Sequence, residues 1–154
     1  MKISNSITCR LKLQHETICE IIFDLDEQQL LKEIRPDKWS IHENIAHLAR
    51  YQLVFMERIN KILLTGNPSF GRYKAEDDPE FEGWRTRPTN DLIKQINADR
   101  EDILRLIEGI SETELNKTGT HPVYGNLNIM KWTEFFLLHE AHHLLTIFQL
   151  ANYK

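Results

Sequence analysis

Apolar residues recur along this chain at steps of three and four in four long stretches, and no stretch alternates strictly enough to define a strand. From about Asn5 to Asp24, and on to Leu25, one stripe carries Ile7, Leu11, His15, Ile18 and Ile22. A second stretch begins at Ser40, where Ser40 and Glu43 have the spacing of a capping box, and carries Ile41, Ile45, Leu48, Gln52, Phe55, Ile59 and Ile62 until Gly66 and Pro68 stop it. The third starts near Thr89 or Asn90 and turns Leu92, Ile96, Ile103, Leu106 and Ile110 inward. Asn128, a good N-cap, opens the fourth, which runs towards the carboxyl terminus.

The connections refine this picture. Leu25 to Leu30 and Ile110 to Leu115 both read as capping boxes that start a short extra turn, which suggests two helix-pair halves. Thr65 to Pro88, rich in Gly, Pro and acidic residues, is long enough for a crossover. The expected architecture is a single all-α domain over residues 1–154, a four-helix bundle with a long crossover between helices two and three. That length buries an adequate core without a structural metal, so a metal here would be functional.

Charge and composition then narrow the partners. With a net charge of -4, pI near 6.0 and scattered cations, the chain lacks the basic stripe that nucleic acid requires. No run approaches ~18 apolar residues, and the first twenty residues do not resemble a signal peptide, so a cytoplasmic protein without membrane contact is expected. Cys9 and Cys19, ten residues apart on one helix, are too distant to pair with each other and are expected as reduced thiols.

The chemistry concentrates in the fourth helix. His139-Glu140-Ala141-His142-His143 satisfies the His-Glu-x-x-His pattern of zinc peptidases. Those enzymes take a third ligand from downstream, and none of the eleven residues after His143 is Asp, Glu, His or Cys. A third ligand must therefore come from upstream. His139 and His143 share a face with Trp132, Phe136 and Leu150, whereas His142 lies beside Phe135, Leu138 and Leu145. A helix so apolar all round is expected to pack in the core on one side and against a second subunit on the other. A single buried histidine is usually a satisfied core residue, but two imidazoles one turn apart suit a divalent ion. Among the upstream histidines, His121 sits in a loop roughly 16 Å along the axis from the pair, and His42 lies in the first turn of helix two. Periodicity favours His15, on the inward stripe of helix one, over His47, at the flank of the second stripe.

Three segments carry a resemblance over nearly the whole chain. Pro36-Asp-Lys-Trp-Ser-Ile-His-Glu-Asn-Ile-Ala-His-Leu48, His121-Pro-Val-Tyr-Gly-Asn-Leu-Asn-Ile129 and His139-Glu-Ala-His-His-Leu-Leu-Thr-Ile-Phe-Gln149 resemble the DinB/YfiT-like family of metal-binding four-helix proteins. The resemblance implies a metal held by His47, His139 and His143, with His15 in reserve, and a homodimer. The family includes metal-dependent enzymes that transfer a low-molecular-weight thiol (bacillithiol, mycothiol or glutathione) to small electrophiles. A thiol S-transferase is therefore expected here; the alternatives are a metal-dependent hydrolase and a non-catalytic metal-binding stress-response protein. Three neutral imidazoles leave a divalent ion an open position; zinc or nickel is expected first, and iron or manganese also suits the donors. For proton handling, Glu43 and Glu140 are candidates, although Glu43 is also the capping partner of Ser40 and Glu140 suits an orienting or core polar contact. Tyr73, Trp84, Arg85 and Arg87 of the linker are candidates for lining a cleft or binding an anionic thiol, and Gln149 is expected to be structural.

Overall fold

Ser40 accepts the Glu43 backbone N–H at 3.2 Å while the Glu43 carboxylate accepts the Ser40 N–H at 2.8 Å, and this reciprocal cap opens a 25-residue helix. That helix, α4 (Ile41–Thr65), is the spine of the fold. Gly66 ends it at φ 82°, in the left-handed region that glycine enters without strain, and donates its N–H to Ile62. The computed structural model describes residues 3–153. Before α4 come α1 (Asn5–Leu13), a 3₁₀ turn at Gln14–Glu16, α2 (Thr17–Ile22) and α3 (Glu27–Leu31); after it come α5 (Phe81–Arg85), α6 (Thr89–Gly109), strands β1 (Thr118–His121) and β2 (Gly125–Asn128), and α7 (Ile129–Ala151).

The long helices form a four-helix bundle in which α4 packs against α6 and α7, and the α1–α2 rod packs against α7 and α6. Side-chain pairs fix the directions. His42 meets Thr89 and Gln52 meets Arg100, so α4 and α6 run parallel; Asn44 meets His143 and Gln52 meets Glu140, so α4 and α7 run antiparallel. Parallel neighbours cannot be joined by a tight turn, and the segment between α4 and α6 is the expected crossover. It is not a solvated loop, because Ala75, Phe81 and Trp84 are buried along it.

Two features depart from the sequence expectation. The first helix is broken by the 3₁₀ turn at Gln14–Glu16, where Gln14 turns its side-chain amide to the Leu137 carbonyl and Glu140. A hairpin also precedes α7, with Thr118 opposite Asn128 and His121 opposite Gly125. Its residues, Thr-Gly-Thr-His and Gly-Asn-Leu-Asn, carry too little apolar alternation to announce strands. The crossover adds a short parallel pairing to it, Phe70 N–H donating to the Thr120 carbonyl and Thr120 N–H to that of Pro68. Gly119 permits that approach, since a Cβ there would stand 2.8 Å from Phe70 Cε2 and 2.9 Å from Ile62 Cδ1.

Two apolar clusters fill the bundle, one around Phe55, Ile103, Trp132 and Phe136, the other around Ile45, Ile96, Leu144 and Ile147. A buried polar layer separates them. Arg100 is ion-paired with Glu140, and its Nε and Nη1 donate to Gln52 Oε1 and the Leu11 carbonyl, each at 3.2 Å. Glu140 also accepts from Gln14 at 2.9 Å and Gln52 at 3.4 Å. Both charges are thus enclosed and hydrogen-bonded, the condition under which a buried ion pair is tolerated. Among the described residues no helix is long and apolar enough to cross a membrane.

Candidate metal centre

One turn from the polar layer, α4 supplies His47 and antiparallel α7 supplies His139 and His143. Each ring offers one nitrogen, and the three nitrogens lie within 4.8 Å of one another. Nε2 of His47 and Nε2 of His139 are 3.1 Å apart. Two ligands bound at ~2.05 Å to a tetrahedral ion stand about 3.3 Å apart, so the donors fit a divalent metal with little movement.

The third ring is oriented from behind. Asn44 Nδ2 donates to the Ser40 carbonyl at 2.8 Å, so its Oδ1 faces His143 Nδ1 at 2.8 Å and must receive a proton from it. The His143 tautomer is thereby set, and its Nε2 keeps the lone pair. Nδ1 of His47 and of His139 is buried without a hydrogen-bond partner. Burial lowers all three proton affinities, and neighbouring imidazoles add to it: His47 falls to about 3 through burial and then His143, His139 to about 2 through burial and then His143 and His47, and His143 to about 4 through burial and then His142. All three rings are neutral at pH 7, as metal ligation requires.

Aromatic rings enclose the cluster. Trp39 lies 5.0 Å from His47 and 6.0 Å from His143 between centroids, and Tyr51 lies 4.1 Å from His139. Two concavities meet there. A smaller one of about 500 Å³ is lined by His47, Tyr51, Arg58, Tyr73, His121 and His139; a larger one of about 850 Å³ is lined by Asn44, His142, Gln149 and Tyr153. Trp39, Glu76 and His143 border both.

The remaining sequence candidates are placed as follows. His15, preferred by periodicity, is buried beside Arg100, outside the three-nitrogen cluster. His42 donates Nε2–H to the Arg85 carbonyl and accepts from Thr89 at Nδ1, both at 2.8 Å, tying α4 to the start of α6. Glu43 is spent on the Ser40 cap and an ion pair with Arg85. Glu140 is spent on Arg100 in the polar layer, away from the imidazoles, which removes the general base that a peptidase would need. Trp84 is core, Arg87 stacks over it at 3.8 Å, and neither they nor Arg85 line either of these concavities; Tyr73 lines the smaller one. Gln149 is exposed on the wall of the larger concavity rather than packed in the structure. His121 is not remote: β1 doubles back along α7, and its ring sits 5.0 Å from Phe135 on the wall of the smaller concavity. Asn44, Arg58 and Arg72 were not singled out by periodicity or motif. Asn44 alone left a trace, an amide one turn past the cap on the same helix as His47.

A bundle with parallel second and third helices and a three-imidazole cluster between the second and fourth defines a class of metal-binding helical proteins. A family model described as the DinB superfamily matches residues 11–147, and the chain belongs to that family. It is similar to two proteins of Oceanobacillus iheyensis named "Putative metal-dependent hydrolase", 25% identical over 133 residues (83% of this chain, 73% of the relative) and 26% over 133 residues (86% and 77%). It is also similar to the uncharacterized protein YuaE of Bacillus subtilis, 24% identical over 139 residues, 78% of this chain and 82% of the relative. Among solved structures, YfiT from Bacillus subtilis, described as "a probable metal-dependent hydrolase with an unusual four-helix bundle topology", superposes with a TM-score of 0.80 at 14% identity, covering 97% of this chain and 89% of that one. This likeness is one of fold.

Proposed function

We propose that this chain is a metal-dependent enzyme acting on small molecules, with the ion held by His47, His139 and His143, and that its reaction is transfer of a low-molecular-weight thiol such as bacillithiol to an electrophile. The observation that carries the thiol reading is the commitment of the three buried or half-buried carboxylates nearby, which leaves the exposed Glu76 as the one uncommitted carboxylate bordering both concavities among the described residues. Glu43 is held by Ser40 and Arg85, Glu140 by Arg100, and Asp78 by Arg50 and Tyr73. His47, His139 and His143 would hold a divalent ion, zinc or nickel first among those the donors suit, and the chemistry it would supply is a lowered thiol pKa, so that no carboxylate of the chain is needed as general base. The thiolate sulfur forms a bond to the electrophilic carbon, the bond from that carbon to its leaving group breaks with the electron pair, and the thiol proton passes to solvent. Asn44 orients His143, while Trp39 and Tyr51 keep water from the flanks of the imidazoles.

Hydrolysis is the second reading, supported by the names of the relatives and by Glu76, an exposed carboxylate on the border of both concavities. The two separate in one experiment: purified protein of known metal content is assayed with a chlorodinitrobenzene-type electrophile and with an activated ester, each with and without thiol. Thiol-dependent consumption of the electrophile is expected. Metal-dependent ester turnover indifferent to thiol would replace the first reading with the second, and stoichiometric metal without turnover of either would leave a binding protein. We further propose a homodimer through the outward face of α7, where Leu138 and Leu145 are 57% and 56% exposed and Phe148 is 53% exposed. Sedimentation of a monomer at micromolar protein would refute that assembly.

A further inference from the structure

Three arginines of this chain are buried, and two have carboxylate partners: Arg50 pairs with Asp78 and Arg100 with Glu140. Arg58 is the exception. It is 8% exposed, its Nη2 donates to the Gly71 carbonyl at 3.1 Å, its guanidinium lies 5.5 Å over each of the Phe70 and Trp132 rings, and no carboxylate pairs with it among the described residues. Burying a guanidinium without counter-charge is costly, and here it borders the smaller concavity beside the imidazoles.

The surrounding wall has the same character. Arg72 lines it without a carboxylate partner among the described residues, and Lys74 reaches only Asp77, at 3.5 Å. His121 Nδ1 accepts the backbone N–H groups of Val123 and Tyr124 at 3.1 and 3.2 Å, so its proton sits on Nε2 as a donor without a partner among the described residues. Glu76 is the single carboxylate on this wall among the described residues. Burial, then the positive charges of Arg58 and Arg72, keep the His121 proton affinity low, so the ring offers a neutral N–H.

We propose that the smaller concavity is a carboxylate-binding subsite: Arg58 and Arg72, with the Nε2–H of His121, hold an anionic end of the substrate while its reacting end reaches the His47, His139 and His143 cluster. The unused edge of a guanidinium matches the two oxygens of a carboxylate. This assignment rests on the metal centre proposed above and specifies what that centre takes.

The full-length protein loaded with cobalt(II) provides the test. Its d–d absorption reports loading, and the sulfur-to-cobalt charge-transfer band reports thiol binding during titration with 2-mercaptoethanol, cysteamine, mercaptoacetate, 3-mercaptopropionate and 4-mercaptobutyrate. The best-fitting mercaptocarboxylate is expected to bind about tenfold or more tightly than 2-mercaptoethanol, and cysteamine more weakly than either. Arg58→Met is expected to bring the carboxylate advantage below about threefold. Arg72→Gln, at an exposed position that does not threaten the core, should lower it in part. Cobalt bound with equal affinity for all five thiols overturns the subsite and leaves the metal centre standing, as does an advantage untouched in both variants. Absence of cobalt bands overturns the centre itself, and the subsite with it.

Discussion

Asn44 does for His143 what no described residue does for His47 or His139: it fixes the proton on the far nitrogen and aims the near one. Partners behind a ligating imidazole typically contribute about 10–100-fold in metal affinity, so Asn44→Leu should weaken zinc binding by about that factor in a chelator competition while stoichiometry at saturation stays the same. His47→Ala should abolish stoichiometric metal uptake measured by elemental analysis, and His15→Ala should not; the reverse pattern would move the third ligand to helix one. His15 has a different consequence. Burial, then the nearby Arg100 charge, lowers its proton affinity to about 4 from an ordinary 6.5. The unfolded chain therefore takes up a proton between those values that the folded chain refuses, so stability is highest above pH 6.5 and falls as pH drops towards 4. Urea unfolding of metal-free protein should show that decline, and His15→Leu should reduce its slope. At this scale the histidine pair one turn apart was legible from spacing alone. The choice of His47 over His15 was not, because a position at the flank of a stripe turns inward only once the partner helix and crossing geometry are known. Arg58 was invisible for the opposite reason: a lone arginine on a polar-apolar border reads as solvated until its ring neighbours and missing carboxylate are seen.

Helices announced themselves through period and caps, and the Ser40–Glu43 box fell where the sequence put it. The first helix did not remain whole, since tertiary demand from Glu140 recruits Gln14 and tightens the backbone there into a 3₁₀ turn. The hairpin was missed because its stability comes from packing of β1 against Ile62, Phe70 and Trp132 rather than from its own pattern. Gly119→Ala should therefore destabilise the protein by about 1–3 kcal/mol, since Ile62 and Phe70 are themselves packed and cannot both retreat. Urea denaturation checks the value. The polar layer makes a sharper demand: Glu140→Ala strands Arg100 among apolar clusters and should cost about 3–5 kcal/mol, while the folded fraction retains one metal per chain. Loss of metal with full stability would instead assign Glu140 to the ion.

Across the whole molecule, a Gly- and Pro-bearing linker long enough to return the chain was the sequence clue to parallel α4 and α6, and the His42–Thr89 contact marks where that return ends. The linker's length marked it as a crossover; its burial of Phe81 and Trp84 reveals a fifth, irregular wall of the bundle. Glu76 of that linker, with Trp39 and His143, stands on the border of the two concavities where they meet at the imidazoles. A molecule arriving through one opening need not wait for another to vacate it. Under the proposed transfer two reactants would be resident together, so initial-velocity plots against one at fixed levels of the other should intersect rather than run parallel, and neither reactant should act as a competitive inhibitor of its counterpart at high concentration.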